Sequence, residues 1–260
     1  MRCHHCGLIY PEPIPKPKDL QDHYGVPPED YWKPEYFQLH EEVFTATIAT
    51  AGHPPPPPPP HAEKLRGLDI GVGLGHFMIA FEHAGFEMHG LEPSATFHQR
   101  AIEQMRVASD RLRRGAVEEL SYPDSSFDFI NLNAVLEHLY DPSGVLERVL
   151  PWLKPNGVIH VEVPSSDWLI ARLGNLYYRL RGTDHVANIS PMHEPYHLYE
   201  FTLQSFVEHG RRAGYHVAHY QPIIGTTLMS RALDKVLQPI MRWTGTGMEF
   251  DVWLKPKQTT

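Results

Sequence analysis

The sequence predicts an α/β fold, a largely parallel sheet with helices on both faces. Three observations carry that expectation. From residue 65 onward, short apolar runs alternate with stretches of helical spacing, which is the rhythm of linked strand–helix–strand units. A glycine-rich turn, "LDIGVGLGHF" at 68–77, lies between the first run and the first helical stretch. The chain has 260 residues, 42% of them hydrophobic and 21% charged, enough for one large domain with a substantial core.

The elements follow in order. Residues 1–33 form an N-terminal extension that opens on the CxxC pair Cys3 and Cys6. Residues 34–64 hold an amphipathic helix over 34–51 and a connection containing seven consecutive prolines. Such a run cannot be helix interior or central strand, and it reads as an exposed polyproline II segment. The main domain covers 65–260. Strand 65–71 is followed by a helix at 76–85 that Gly85 stops. Strand 86–93 leads into a helix at 94–106 with Ser94 as N-cap. Strands at 110–116 and 127–133 follow, then a helical turn at 135–139 and a helix at 142–153. "KPNG" at 154–157 reads as the turn before strand 158–164. Residues 166–201 then break the rhythm as a cap insertion. It contains an aromatic-rich helix over 167–182, whose apolar residues at helical spacing read as core, and a loop over 183–197. A helix at 202–214, a strand at 215–224, a helix at 227–243 broken near Pro239 and a strand at 248–256 complete the chain.

Composition excludes several functions. With 23 basic residues against 31 acidic and a net charge of −8, no broad polyanion-binding surface is expected, so nucleic acid is not the expected partner. No apolar run is long enough for a membrane span. Two cysteines exclude a disulfide framework, and with no signal-peptide core at the start the expected location is the cytoplasm.

The glycine-rich turn carries the chemistry. Gly71, Gly73 and Gly75 follow a strand and precede a helix, so the backbone can turn tightly and a ligand can approach it. Glu92 ends the next strand, where a carboxylate can accept hydrogen bonds from both hydroxyls of a ribose. A dinucleotide site would want its third glycine at position 76, which is His76. The observed D-x-G-x-G-x-G pattern, led by Asp69, instead resembles motif I of class I S-adenosylmethionine-dependent methyltransferases. The resemblance continues through "GLEPS" (90–94) and through 115–165, with its "FD", "LEH", "DP" and "LKPNG" elements.

That resemblance implies a Rossmann-like sheet of seven strands, mostly parallel with the last antiparallel, and a cap between strands 5 and 6. It implies S-adenosylmethionine as cofactor and a small-molecule methyl acceptor, with O-methylation favoured. Asp69, Gly71, Val72, Gly73 and Gly75 would line the methionine and ribose, and Glu92 would hold the ribose diol. Pro93 would flank the adenine, Ala116 and Val117 would lie at its edge, and Asn133 would sit beside the methionine end. Many relatives have an aspartate where Ala116 stands, so adenine recognition would fall to backbone groups or Glu118.

For an oxygen or nitrogen acceptor a histidine is the simplest base. The candidates are His138, in "LEHL" after the fourth strand, and His193 and His197 in the cap. The last two also match the zinc-protease pattern H-E-x-x-H. That pattern needs an unbroken helix, which Pro191 and Pro195 oppose. Cys3 and Cys6 resemble half of a zinc ribbon; zinc needs four ligands, so one knuckle alone is a weak site. The alternatives to the methyltransferase reading are a nicotinamide-dependent oxidoreductase, which His76 opposes, and a non-catalytic module that binds cofactor or presents the proline run.

Overall fold

The computed structural model describes residues 1–13, 63–186, 197–225, 227 and 230–257. The expected helix at 34–51, the proline run and His193 lie outside the described residues.

The main domain is a seven-stranded sheet with strands β1 (Arg66–Ile70), β2 (Glu87–Glu92), β3 (Leu112–Arg114), β4 (Phe127–Asn133), β5 (Leu153–Pro164), β6 (Tyr215–Ile223) and β7 (Glu249–Pro256). Their spatial order is β3-β2-β1-β4-β5-β7-β6. The first five pair in parallel, and β7 runs antiparallel to both β5 and β6. The order reverses between β1 and β4, and in open α/β sheets ligands bind at the carboxyl ends of the strands at such a switch point.

Helices α1 (His76–His83), α2 (Ala95–Glu103), α3 (Pro142–Val149), α4 (Leu169–Leu180), α5 (Leu203–Ala213) and α6 (Arg231–Thr244) fill the intervals. Their ends have local causes. The Ser94 hydroxyl accepts from Phe97 N–H at the start of α2, and Asp141 accepts from Gly144 N–H at the start of α3. Thr202 and Ser205 close a reciprocal capping box on α5. Gly214 ends α5 in the left-handed region, φ 85°, where a side chain would be strained.

Strand alternation splits the sheet into two unlike faces. Leu68, Ile70, Ile130, Leu132, Ile159 and Val161 enter one core, shared with α3, α5 and the aromatic residues Phe127 and Trp152. The opposite face packs under α1, where Phe77 and Phe81 stack on Phe129. That second face also carries polar residues, which matter below.

Three expectations are corrected. The "KPNG" turn lies inside β5: Phe127 pairs with Leu153 but Phe129 already with Val158, so the segment bulges from a continuing strand. Helix α6 runs through Pro239 without ending. Pro239 is exposed, so water can serve the carbonyl that loses its helical partner. Helix α4 is less buried than its spacing suggests. Trp168 and Ala171 anchor it against Met241 of α6, while Leu173, Leu176, Tyr177 and Leu180 face outward, Leu180 at 79% exposure. No helix among the described residues is long and apolar enough to cross a membrane.

The N-terminal knuckle is docked on the cap. Ile9 and Glu200 exchange backbone hydrogen bonds of 2.9 and 3.0 Å. Gly7 O accepts from Ser166 Oγ, and Cys6 O accepts from the Thr202 hydroxyl. Cys3 and Cys6 are free thiols. Among the described residues no third His, Cys, Asp or Glu atom gathers with them.

Candidate active site

The loop after β1 is held against β2. Gly71 and Val72 N–H both donate to Leu91 O, at 2.9 and 3.1 Å. Gly71, Gly73 and Gly75 all have positive φ, at 77°, 55° and 91°. Two of them are also sterically confined. A Cβ on Gly71 would lie 2.5 Å from Val135 Cγ2, and one on Gly75 2.5 Å from Val107 Cγ2. The loop is therefore a stretch of bare backbone at the carboxyl end of β1.

Two buried carboxylates flank this loop. Glu92 Oε2 accepts from Gly73 N–H at 2.7 Å and Oε1 from Ser94 N–H at 2.8 Å. Burial outweighs these bonds, and with the nearby Asp69 charge it pushes the Glu92 carboxyl up to about 7. Asp69 Oδ1 accepts from Asn131 Nδ2 at 2.7 Å, and burial likewise raises its carboxyl to about 7. These residues fit a cofactor that brings a ribose diol and a cationic end. Each carboxylate oxygen has acceptor capacity left, and the bare loop lets a ligand reach the backbone. Val72, Ala116 and Val117 are buried, while Glu118 is exposed.

Asp69 is one end of a polar chain across the sheet. The Asn131 Oδ1 atom lies 2.8 Å from His160 Nδ1, and His160 Nε2 lies 2.9 Å from Asp251 Oδ1. All four side chains are buried, Asn131 completely. Asn131 donates its amide to Asp69, so its carbonyl oxygen faces His160 and Nδ1 must carry a proton. Phe77 and Trp253 pack on the His160 ring.

The second cluster lies just past β4. Ala134 takes a left-handed backbone, φ 51°, a conformation that costs a non-glycine residue about 1–3 kcal/mol. The chain then makes a short 3-10 turn at Leu136–His138. The cap returns to this turn, where Leu198 N–H donates to Glu137 O at 2.6 Å and Tyr199 N–H to the same oxygen at 3.3 Å. Tyr199 Oη also donates to Tyr140 O at 3.0 Å. These bonds bring His197 to His138, with ring centroids 4.8 Å apart at 76°. His197 Nε2 is 3.9 Å from Glu137 Oε1.

Two of the three histidines singled out in the sequence thus meet, and the third, His193, lies outside the described residues. Glu137 is buried at 1% exposure. Burial, with the neighbouring Glu162 and Glu249 carboxylates, pushes its pKa well above the ordinary carboxylate range. Glu162 is itself pushed up to about 8 by burial and by Asp251 and Glu249. It accepts from Asn133 Nδ2 at 3.2 Å, so Asn133 is engaged beside this cluster.

Sequence reasoning missed Glu137, Glu162, Asn131, His160 and Asp251. The available signal was polar residues at alternate positions within otherwise apolar strands, and the carboxylate next to His138.

The comparisons with known proteins agree with this layout. A family model described as a methyltransferase domain matches residues 38–220. The chain belongs to this family. It carries a methyltransferase domain, which speaks against the nicotinamide alternative. Among curated proteins, the methyltransferase is 34% identical over 109 residues to a ubiquinone biosynthesis O-methyltransferase of Rhodopseudomonas palustris. That match spans 41% of the chain and only 42% of the relative. Among solved structures, a methyltransferase from Haloferax volcanii, in complex with the activator Trm112, superposes with a TM-score of 0.61 at 17% identity. It covers 93% of this chain and 99% of that one. A Burkholderia thailandensis 1,6-didemethyltoxoflavin-N1-methyltransferase, holding S-adenosylhomocysteine, gives 0.55 at 14% identity, covering 92% and 86%. At these identities the likeness is one of fold.

Proposed function

We propose that this methyltransferase transfers the methyl group of S-adenosylmethionine to an oxygen of a small-molecule acceptor. The observation that carries this reading is the convergence of Glu137, His138 and His197 at the carboxyl end of β4, beside the glycine loop. The identity to an O-methyltransferase over part of the chain supports it.

Residues 65–260 form the catalytic domain in this reading, with 166–201 as the cap. The Gly71–Gly75 backbone and Asp69 hold the methionine and ribose of the cofactor, and Glu92 holds the ribose diol. Pro93, Ala116 and Val117 border the adenine. Asn133, tied to Glu162, lines the methionine end. The cofactor supplies an electrophilic methyl group on sulfur. The acceptor hydroxyl sits against His138 and His197, and one imidazole takes its proton as the oxygen–carbon bond forms and the carbon–sulfur electron pair returns to sulfur. Glu137 Oε1 lies 3.9 Å from His197 Nε2. Leu198 and Tyr199, bonded to Glu137 O, fix the geometry on which alignment depends.

The test uses a labelled methyl group and a panel of phenols, catechols and amines, with the methylated atom located by NMR. Label on oxygen, and loss of turnover without loss of cofactor binding in His197→Ala, is the expected outcome. Label on nitrogen or carbon alone, or no product from protein that binds cofactor, would overturn the proposal.

A further inference from the structure

We propose that Glu137, His138 and His197 form a binding site for a divalent transition-metal ion such as zinc. One ligand atom from each lies within 4.8 Å of the others. Ligands arranged tetrahedrally at about 2.0–2.2 Å from zinc stand about 3.4 Å apart, so small side-chain rotations close the set. Two imidazoles and a carboxylate suit zinc and its first-row neighbours.

A second, independent observation points to the same occupant. Glu137 is buried, and its Oε2 has no hydrogen-bond partner among the described residues. A buried carboxylate oxygen without a donor is costly, and a cation is the partner that removes the cost. The ligands are also held in place. Glu137 and His138 share one 3-10 turn, and the backbone bond from Leu198 N–H to Glu137 O places the neighbouring His197 beside them.

Three protein ligands leave a position open for water or for an acceptor oxygen. On the O-methylation reading, on which this last step rests, an acceptor hydroxyl entering that position loses its proton more readily. With the ion bound, the two imidazoles act as ligands in place of the base role given to them above, and the released proton passes to water. Vicinal hydroxyls, which can chelate one ion, become the favoured acceptor class.

The test uses the full chain carrying Cys3→Ser and Cys6→Ser, which removes the knuckle as a competing site. After chelator treatment and dialysis against zinc, mass spectrometry of the metal content should give one zinc per chain. Cobalt titration should give the visible absorption of a low-coordinate site. His197→Ala and Glu137→Gln should each weaken cobalt binding by at least about tenfold, with S-adenosylhomocysteine binding and the thermal melt retained as the check on folding. Should either variant fail to fold, His138→Asn supplies the same comparison. Zinc content near zero, or cobalt affinity equal in parent and folded variants, overturns the site. Oxygen methylation by protein that binds no zinc would sink the metal site and leave the proposed reaction standing. Zinc binding without oxygen methylation of any acceptor does the reverse.

Discussion

The rings of His138 and His197 meet edge to face, their centroids 4.8 Å apart, although one follows β4 and the other lies at the far end of the cap. Two backbone bonds, from Leu198 and Tyr199 N–H to Glu137 O, hold the cap beside the turn that carries His138. A positioned base contributes about 10²–10⁴-fold to rate. His197→Ala should lower kcat within that range. The dissociation constant for S-adenosylhomocysteine, measured by calorimetry, should change less than about threefold. Equal losses in both would place His197 in the cofactor site instead.

Gly71 tests the loop. Alanine there meets two penalties together, a backbone at φ 77° and a Cβ 2.5 Å from Val135 Cγ2. Left-handed backbone alone costs a non-glycine residue about 1–3 kcal/mol. Gly71→Ala should abolish measurable cofactor binding and lower the urea midpoint. Gly85→Ala has φ 99° but open space around its Cβ, so it should lower stability and leave cofactor binding intact. A Gly71→Ala protein that binds cofactor normally would remove the loop backbone from the site.

The raised carboxylates fix the direction of a pH effect. Glu162 is pushed up from an ordinary value of 4.5 to about 8, and Glu92 from the same value to about 7. Between those limits the folded state holds protons that the unfolded chain has released. Stability therefore falls as pH rises from 4.5 towards 8. Urea midpoints should decline steadily across that window, and Glu162→Gln should flatten the upper part of the decline. A midpoint that rises with pH there would contradict the assignment.

The polar chain across the sheet predicts a stability loss with a specific signature. The hydrogen bond from Asn131 opposes the rise of Asp69. Asn131→Leu would leave both Asp69 and His160 buried without that partner, at a cost of about 2–4 kcal/mol. The Asp69 carboxyl should titrate higher still when followed by NMR. An unchanged Asp69 titration in the folded variant would show that the bond has no electrostatic weight.

Much of this was legible in the chain. The glycine loop, Glu92 and the Ser94 cap are local features, set by residues a few positions apart, and the loop follows its strand as expected. The "KPNG" segment and Pro239 were misjudged because a turn-forming tetrapeptide can be absorbed as a bulge and an exposed proline can be carried by a helix. The cluster at Glu137 was only half visible. Its histidines were candidates one by one, but their meeting depends on hydrogen bonds between distant segments. Asn131, His160 and Asp251 were invisible as a set for the same reason: their adjacency requires the order β4-β5-β7 and the alignment of each pair.

That alignment is where the buried polar chain has its widest effect. Side chains alternate across a strand, so a slip of one residue would turn Asn131 or His160 into the core occupied by Leu68, Ile130 and Val161. There no amide or carboxylate waits for either. A sheet held by apolar contacts alone would tolerate several nearly equal pairings. Here a mispaired strand strands a dehydrated amide, an imidazole and two acids at once. The chain from Asp69 to Asp251 thus acts as a combination lock on the folding of the central sheet. It opens at one setting, the one that also delivers Asp69 and Asn133 to the carboxyl ends of β1 and β4.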